Sequence, residues 1–202
     1  MAAFLLILSY LIGSLSFSYF ISKAVKGVDI RDVGSGNAGA TNVARVLGLK
    51  YAVLVLILDA LKGLVVVLLA SHLHVETWLL LFSAGAVIAG HNWPLFFGFK
   101  GGRGVATTFG VFLGIAPIPA LVIFLLFIII ILWTRYVSLA SIVGALSIPV
   151  VMLLLPYPPS YFVFGLAVCL LLLGRHMPNI KRLLQGKESK LGEKVNIKKT
   201  ER

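Results

Sequence analysis

The chain has 202 residues, 59% of them hydrophobic and 12% charged, with a mean hydropathy of +1.03, which excludes an ordinary water-soluble domain. Lys and Arg number 18 against 7 Asp and Glu, and the resulting net charge of +11 must face anionic lipid or an anionic ligand. That charge is scattered through an apolar chain, which argues against nucleic acid, and the single cysteine, Cys169, sits in an apolar run as a packing residue, which excludes a disulfide framework or a thiol metal cluster.

The first residues, 1–11, are apolar with no basic residue before them, unlike a secretory signal, and read as a retained first span. Apolar runs follow at 2–21, 51–70, 78–89, 105–133, 137–155 and 161–174. The run 105–133 would make roughly 44 Å of helix at 1.5 Å per residue, too long for one span without steep tilt. Pro117 and Pro119 lie in its middle, where they remove backbone donors and break a helix. Splitting the run there puts residues 23–50, Lys100 with Arg103, Arg135 and the stretch from Arg175 on one side, and leaves the opposite loops without Lys or Arg. The expected fold is therefore all-α: a polytopic membrane protein of seven transmembrane helices, amino terminus outside and carboxyl terminus cytoplasmic, with the fourth and fifth helices short. We read residues 1–202 as one integral membrane domain, and 187–202 as a basic, solvated cytoplasmic tail.

That topology gathers the polar segments on the cytoplasmic side. The first is Gly34-Ser35-Gly36-Asn37-Ala38-Gly39-Ala40-Thr41-Asn42, followed by Arg45. Its glycines let backbone amides approach a ligand closely, Ser35 or Asn37 can cap a short helix running to about Leu47, and Arg45 offers a forked donor to phosphate. A flexible loop with an ordinary cap would have the same composition. The second segment, Gly90-His91 through Lys100-Gly101-Gly102-Arg103-Gly104 to Thr107-Thr108, leads two cations and three glycines into a helix start and is the strongest phosphate signal in the chain. It is not a P-loop, and its aromatics Trp93, Phe96, Phe97 and Phe99 also suit a membrane interface. In the third, Arg175, His176 and Asn179 leave the last helix within about one turn of each other, as an anion clamp or as the basic stop that follows a last span.

Ser138 and Ser141 can face the same pocket from the next helix, although a membrane serine more commonly bonds its own backbone. Asp59 and Lys62, three apart inside the second span, read as a structural ion pair, and His72, His74 and Glu76 as solvated outer-loop surface. The chain lacks a His-x-x-x-x-Asp acyltransferase pattern, a paired-Asp metal motif and a Gly-x-Ser-x-Gly elbow, so its basic loops must carry any chemistry.

Over nearly its whole length the sequence resembles the bacterial acyl-phosphate-dependent glycerol-3-phosphate acyltransferase family. The carriers are residues 34–42, Gly90-His91 with 97–107, 135–141, and Arg175-His176 with Asn179, Arg182 and Gly186-x-Glu188. Where the family commonly has Lys after Lys-Gly-Gly, this chain has Arg103. The resemblance implies transfer of a fatty acyl group from acyl phosphate to the sn-1 hydroxyl of glycerol 3-phosphate, giving lysophosphatidate and phosphate, at the inner membrane of a bacterium with the site facing the cytoplasm. It implies no cofactor and no metal, and as partners the two substrates, membrane lipid and the soluble enzyme that supplies acyl phosphate. The expected catalytic residues are His91, Ser35, Lys100, Arg103 and His176. Expected at the substrate phosphates are Gly36, Asn37, Asn42, Arg45, Gly101, Gly102, Thr107, Ser141, Arg175 and Asn179. Attack by the glycerol hydroxyl is expected to be direct, with His91 as proton acceptor or a donor phosphate oxygen in its place. The rival reading is a small transporter for an anionic solute, which would need a polar path to the outer side.

Overall fold

The computed structural model describes residues 1–193; the remainder of the expected tail, 194–202, lies outside the described residues. Among them are nine α-helices and one 3-10 turn, and no strand. They are α1 (Ala2–Gly13), α2 (Phe17–Lys26), α3 (Ala40–Leu47), α4 (Leu49–His72), α5 (Thr77–Asn92), the 3-10 turn Leu95–Phe97, α6 (Val105–Ile115), α7 (Pro117–Thr134), α8 (Val137–Leu154) and α9 (Pro159–Leu184). Six stretches are long and apolar enough to cross a bilayer, with α1 and α2 counted together, and α6 is a shorter apolar helix. The helices expose large apolar side chains such as Leu125, Ile129 and Leu132 on α7, as lipid-facing helices do.

The split of the long apolar run is present, with Ala116 alone separating α6 from α7 and Pro117 at the first turn of α7, where its missing N–H costs nothing. Only the first half is short. The 11 residues of α6 make about 16 Å of helix, whereas the 18 of α7 make about 27 Å and so correct the expectation of a short fifth helix. The first span, expected as one helix, is broken between Gly13 and Phe17. Apolarity runs straight through that break; its cause is non-local, because Lys62 of α4 takes the carbonyls of Gly13 and Leu15 at 3.1 Å each. The last helix runs on to Leu184 through Pro178, so Arg175, His176 and Asn179 stay on it.

Small residues set the packing at the centre. Gly63 of α4 lies against the backbone of Thr107, and Gly110 of α6 against the carbonyl of Ala60, so the two helix backbones nearly touch. Leu5, Ala70 and Leu79 cluster at one end of the bundle, from the start of α1, the end of α4 and the start of α5. The other end gathers the polar segments.

The tail also departs from expectation over residues 187–193. Lys187 N–H donates to the Arg182 carbonyl at 2.8 Å, Leu191 N–H to the Arg135 carbonyl at 2.7 Å, and Arg135 returns a bond to the Leu191 carbonyl at 2.8 Å. This part is a strap folded back over the α7–α8 turn, pinned by the buried Glu188.

Candidate functional site

The three polar segments meet at this end around one cavity of about 160 Å³. Its polar wall is Asn37, Arg45, His91, Arg103, Ser141 and His176; its apolar wall is Phe109, Phe112, Ile123, Phe124, Phe127 and Ile148, from α6, α7 and α8. The cavity thus combines two arginines with an aromatic and aliphatic slot. Burial pushes the Arg103 guanidinium down to about 10, against Glu188, which raises it, so Arg103 stays cationic at neutral pH in a setting where water competes weakly for its anion.

Local structure explains how each segment reaches the cavity. Gly34 and Gly36 take left-handed φ of 64° and 69°, a turn that β-carbons disfavour. The fully buried Asn42 side chain holds that turn from inside: its Oδ1 accepts from Ser35 N–H, and its Nδ2 donates to the Ile30 and Val33 carbonyls, all at 2.9 Å. Helix α3 begins at Gly39 with no side-chain cap, so neither Ser35 nor Asn37 caps it; Asn37 instead lines the cavity. In the second segment Gly102 N–H donates to the His91 carbonyl at 3.1 Å, and Gly104, at φ 86°, starts α6.

Not every expected residue lies on the cavity wall. Ser35, Gly36 and Lys100 are exposed, Gly101 is half-buried, and Thr107 is buried with its hydroxyl unpartnered among the described residues. The Arg175 guanidinium bonds the Gly102 carbonyl at 2.8 Å and stacks 5.4 Å from the Trp93 ring centroid, so it braces the glycine loop rather than pointing into the cavity. Buried Asn179 donates to Glu188 Oε1 at 2.7 Å, while Arg182 Nε meets Glu188 Oε2 at 2.6 Å. Although burial raises the Glu188 carboxyl, these bonds outweigh it and hold the group below its usual value. The Ser141 hydroxyl bonds the Val137 carbonyl at 2.8 Å while lining the cavity, so both sequence readings of it hold.

Three residues outside the expected set belong to this end. Glu188 lines the cavity; only its place in the third motif marked it. Asp59 also lines it, and pairs with Lys62 at 2.8 Å, as the i,i+3 spacing suggests. Sequence gives no sign that the pair touches His91, whose Nδ1 lies 2.8 Å from Lys62 Nζ.

A family model described as Glycerol-3-phosphate acyltransferase matches residues 3–186. A glycerol-3-phosphate acyltransferase of Aquifex aeolicus is 48% identical over 188 residues, covering 93% of this chain and 97% of that protein. One of Halalkalibacterium halodurans is 48% identical over 196 residues, covering 94% and 95%. Crystal structures of the integral membrane glycerol 3-phosphate acyltransferase PlsY are similar over 95% of this chain and 96% of theirs. The glycerol 3-phosphate form has a TM-score of 0.90 at 47% identity, and the lysophosphatidic acid form 0.87 at 46%.

Proposed function

Because the chain belongs to the glycerol-3-phosphate acyltransferase family, we propose that it transfers a fatty acyl group from acyl phosphate to the sn-1 hydroxyl of glycerol 3-phosphate, releasing lysophosphatidate and inorganic phosphate. The observation that carries this reading is the cavity itself, where Arg45, Arg103 and His176 share one small space with an apolar slot lined by Phe109, Phe124 and Phe127. Two phosphates and one acyl chain need that combination. The family names and the glycerol 3-phosphate and lysophosphatidic acid forms of PlsY support the acceptor and the product; the acyl phosphate donor is what the resemblance of the sequence motifs implies, and the site is compatible with it. An acyl phosphate is already an activated mixed anhydride, so a site of cations and amides, holding two like-charged molecules together, suffices.

In this mechanism the glycerol 1-hydroxyl oxygen bonds to the acyl carbon, the bond from that carbon to the bridging phosphate oxygen breaks, and the phosphate leaves with the electron pair. The hydroxyl proton passes to a phosphate oxygen, and no acyl-enzyme forms. Asn37, Arg45 and Arg103 grip the phosphates from the cavity wall, where Ser141 and His176 face them as acceptors for a phosphate O–H. Exposed Ser35, Gly36 and Lys100 meet the incoming anion, while Gly101 and Gly102 keep backbone close to it. Asn42, Thr107, Arg175 and Asn179 hold the walls. We read residues 1–202 as one domain of seven spans in the bacterial inner membrane, amino terminus outside, with the cavity and the basic tail facing the cytoplasm, where the soluble enzyme that makes acyl phosphate would deliver it.

The test is purified protein in micelles given glycerol 3-phosphate with either acyl phosphate or acyl-CoA. Lysophosphatidate forms from acyl phosphate. Product from acyl-CoA alone would overturn the donor assignment.

A further inference from the structure

The buried ion pair in α4 has a use beyond holding helices together. Lys62 Nζ, 3% exposed, has three N–H bonds, and three acceptors stand around it: the Gly13 carbonyl and the Leu15 carbonyl at 3.1 Å, and His91 Nδ1 at 2.8 Å. Asp59 Oδ1 sits 2.8 Å away as counter-ion, yet takes no aligned hydrogen bond. The two carbonyls flank the break in the first span at residues 14–16, at the negative end of the α1 dipole. Two carbonyl oxygens and a carboxylate around one nitrogen fix it as an ammonium.

An ammonium has no lone pair to offer, so the ring nitrogen facing it must be the acceptor. A ring proton at Nδ1 would point into a cation at hydrogen-bond distance. The rival partner for such a proton, Asp59 Oδ1, is 3.5 Å from Nδ1, well beyond the Lys62 contact. With Nδ1 occupied as acceptor, the neutral ring carries its proton on Nε2. That nitrogen lies against Gly102 and has no hydrogen-bond partner among the described residues, and the ring lines the cavity. His176 stands in the opposite state: its Nδ1 is 2.8 Å from the Leu172 carbonyl, which can only accept, so its Nε2 keeps a lone pair.

We infer that Asp59 and Lys62 are positioning residues for the transfer reaction: through the Lys62 bond to Nδ1 they hold His91 as the tautomer that presents an Nε2–H donor to an anionic oxygen of the bound substrate. The substrate half of this statement rests on the acyl-transfer reading above; the tautomer does not. It replaces His91 as proton acceptor by His91 as donor, and the hydroxyl proton goes to phosphate. Two buried histidines thus serve one cavity, His91 donating and His176 accepting. The aromatic face of Phe17, 5.8 Å from Lys62 Nζ, closes the cation off on its remaining side.

The test begins with the full chain in micelles, labelled with 15N-histidine, with the exposed His72 and His74 both replaced by Gln. Of the two remaining rings, one shows a bare Nδ1 and protonated Nε2 and the other the reverse, and adding His176→Gln assigns the first to His91. A His91 ring protonated at Nδ1, alone or at both nitrogens, overturns the inference. Kinetics supply the second arm. His91→Ala lowers kcat about 100-fold, as removal of a transition-state donor does, and His91→Gln, which keeps an N–H, loses less; equal losses overturn the donor role. Lys62→Met lowers kcat about tenfold or more with KM for glycerol 3-phosphate held within about twofold, the signature of a lost transition-state contact. A protein inactive toward acyl phosphate in every form would refute the substrate reading and leave the ring assignment standing.

Discussion

A single methyl group at Gly102 tests how closely the first two polar segments are joined. Built onto that residue, a β-carbon would overlap His91 Nε2 and stand 2.9 Å from the Ala38 carbonyl, whereas ordinary contact begins at 3.4 Å. One neighbour is a buried ring held by Lys62 and the other is backbone, so the loop or the ring must yield by about 1 Å. Overpacking of this kind costs about 1–3 kcal/mol of stability. The loop that moves carries Arg103, and a 1 Å error in a positioned group costs about 10²-fold in rate. Gly102→Ala should therefore lose about 10²-fold in kcat with a modest fall in Tm, measured by phosphate release from acyl phosphate and by thermal unfolding in micelles. Gly98→Ala is the control. Gly98 sits at φ 62° with nothing within 4 Å of its β-carbon position, so a methyl there costs about 1–2 kcal/mol of backbone strain without touching the cavity. A Gly102→Ala enzyme with kcat within about threefold of wild type would refute the reasoning, because the loop would then have slack that the geometry denies it.

Further outcomes follow from the same contacts. Lys62→Met, which leaves Asp59 buried and uncompensated, should cost about 3–5 kcal/mol in denaturant unfolding, and Asp59→Leu with Lys62→Met should recover most of it; a double variant as unstable as the single would contradict the ion-pair account. Asn42→Ala strips partners from the Ser35 N–H and the Ile30 and Val33 carbonyls, and should lower stability by about 1–3 kcal/mol and raise KM for glycerol 3-phosphate. Glu188 has a lowered folded pKa, so its contribution is complete above its ordinary 4.5 and lost as pH falls through the folded value. Glu188→Gln should thus differ from wild type in Tm at neutral pH and converge with it as acid protonates the folded carboxyl; a difference that does not change with pH would contradict this reading of the strap.

What the sequence made legible was what depends on neighbours along the chain. Pro117 marked the break between α6 and α7, because a missing N–H acts locally. Glycine spacing marked the turn at residues 34–36 and the entry to α6, because positive φ is a local demand. The break at residues 14–16 was hidden, since the cation that occupies its carbonyls comes from α4, some 47 residues on. Arg175 read as a phosphate ligand because a guanidinium near glycines suits one; that its Nη2 bonds the carbonyls of those same glycines could not be read from spacing. The strap at residues 187–193 looked solvated by its charge, and only the fold supplies Asn179 and Arg182 to bury Glu188. Asp59 and Lys62 were visible as a pair; their ring partner on α5 was not.

The most direct measurement is the sidedness of the cavity end. With buried Cys169 replaced by Ala, single cysteines at the exposed positions Asp32, Lys100, Lys187 and Leu73 are exposed to an impermeant thiol reagent in sealed, inverted inner-membrane vesicles, where the cytoplasmic face is outermost. The account requires the first three to react from outside without permeabilisation and position 73 to react only after it. Protection of either 100 or 187 while the other reacts would contradict it, because the anion-binding segments would then lie on opposite faces of the membrane.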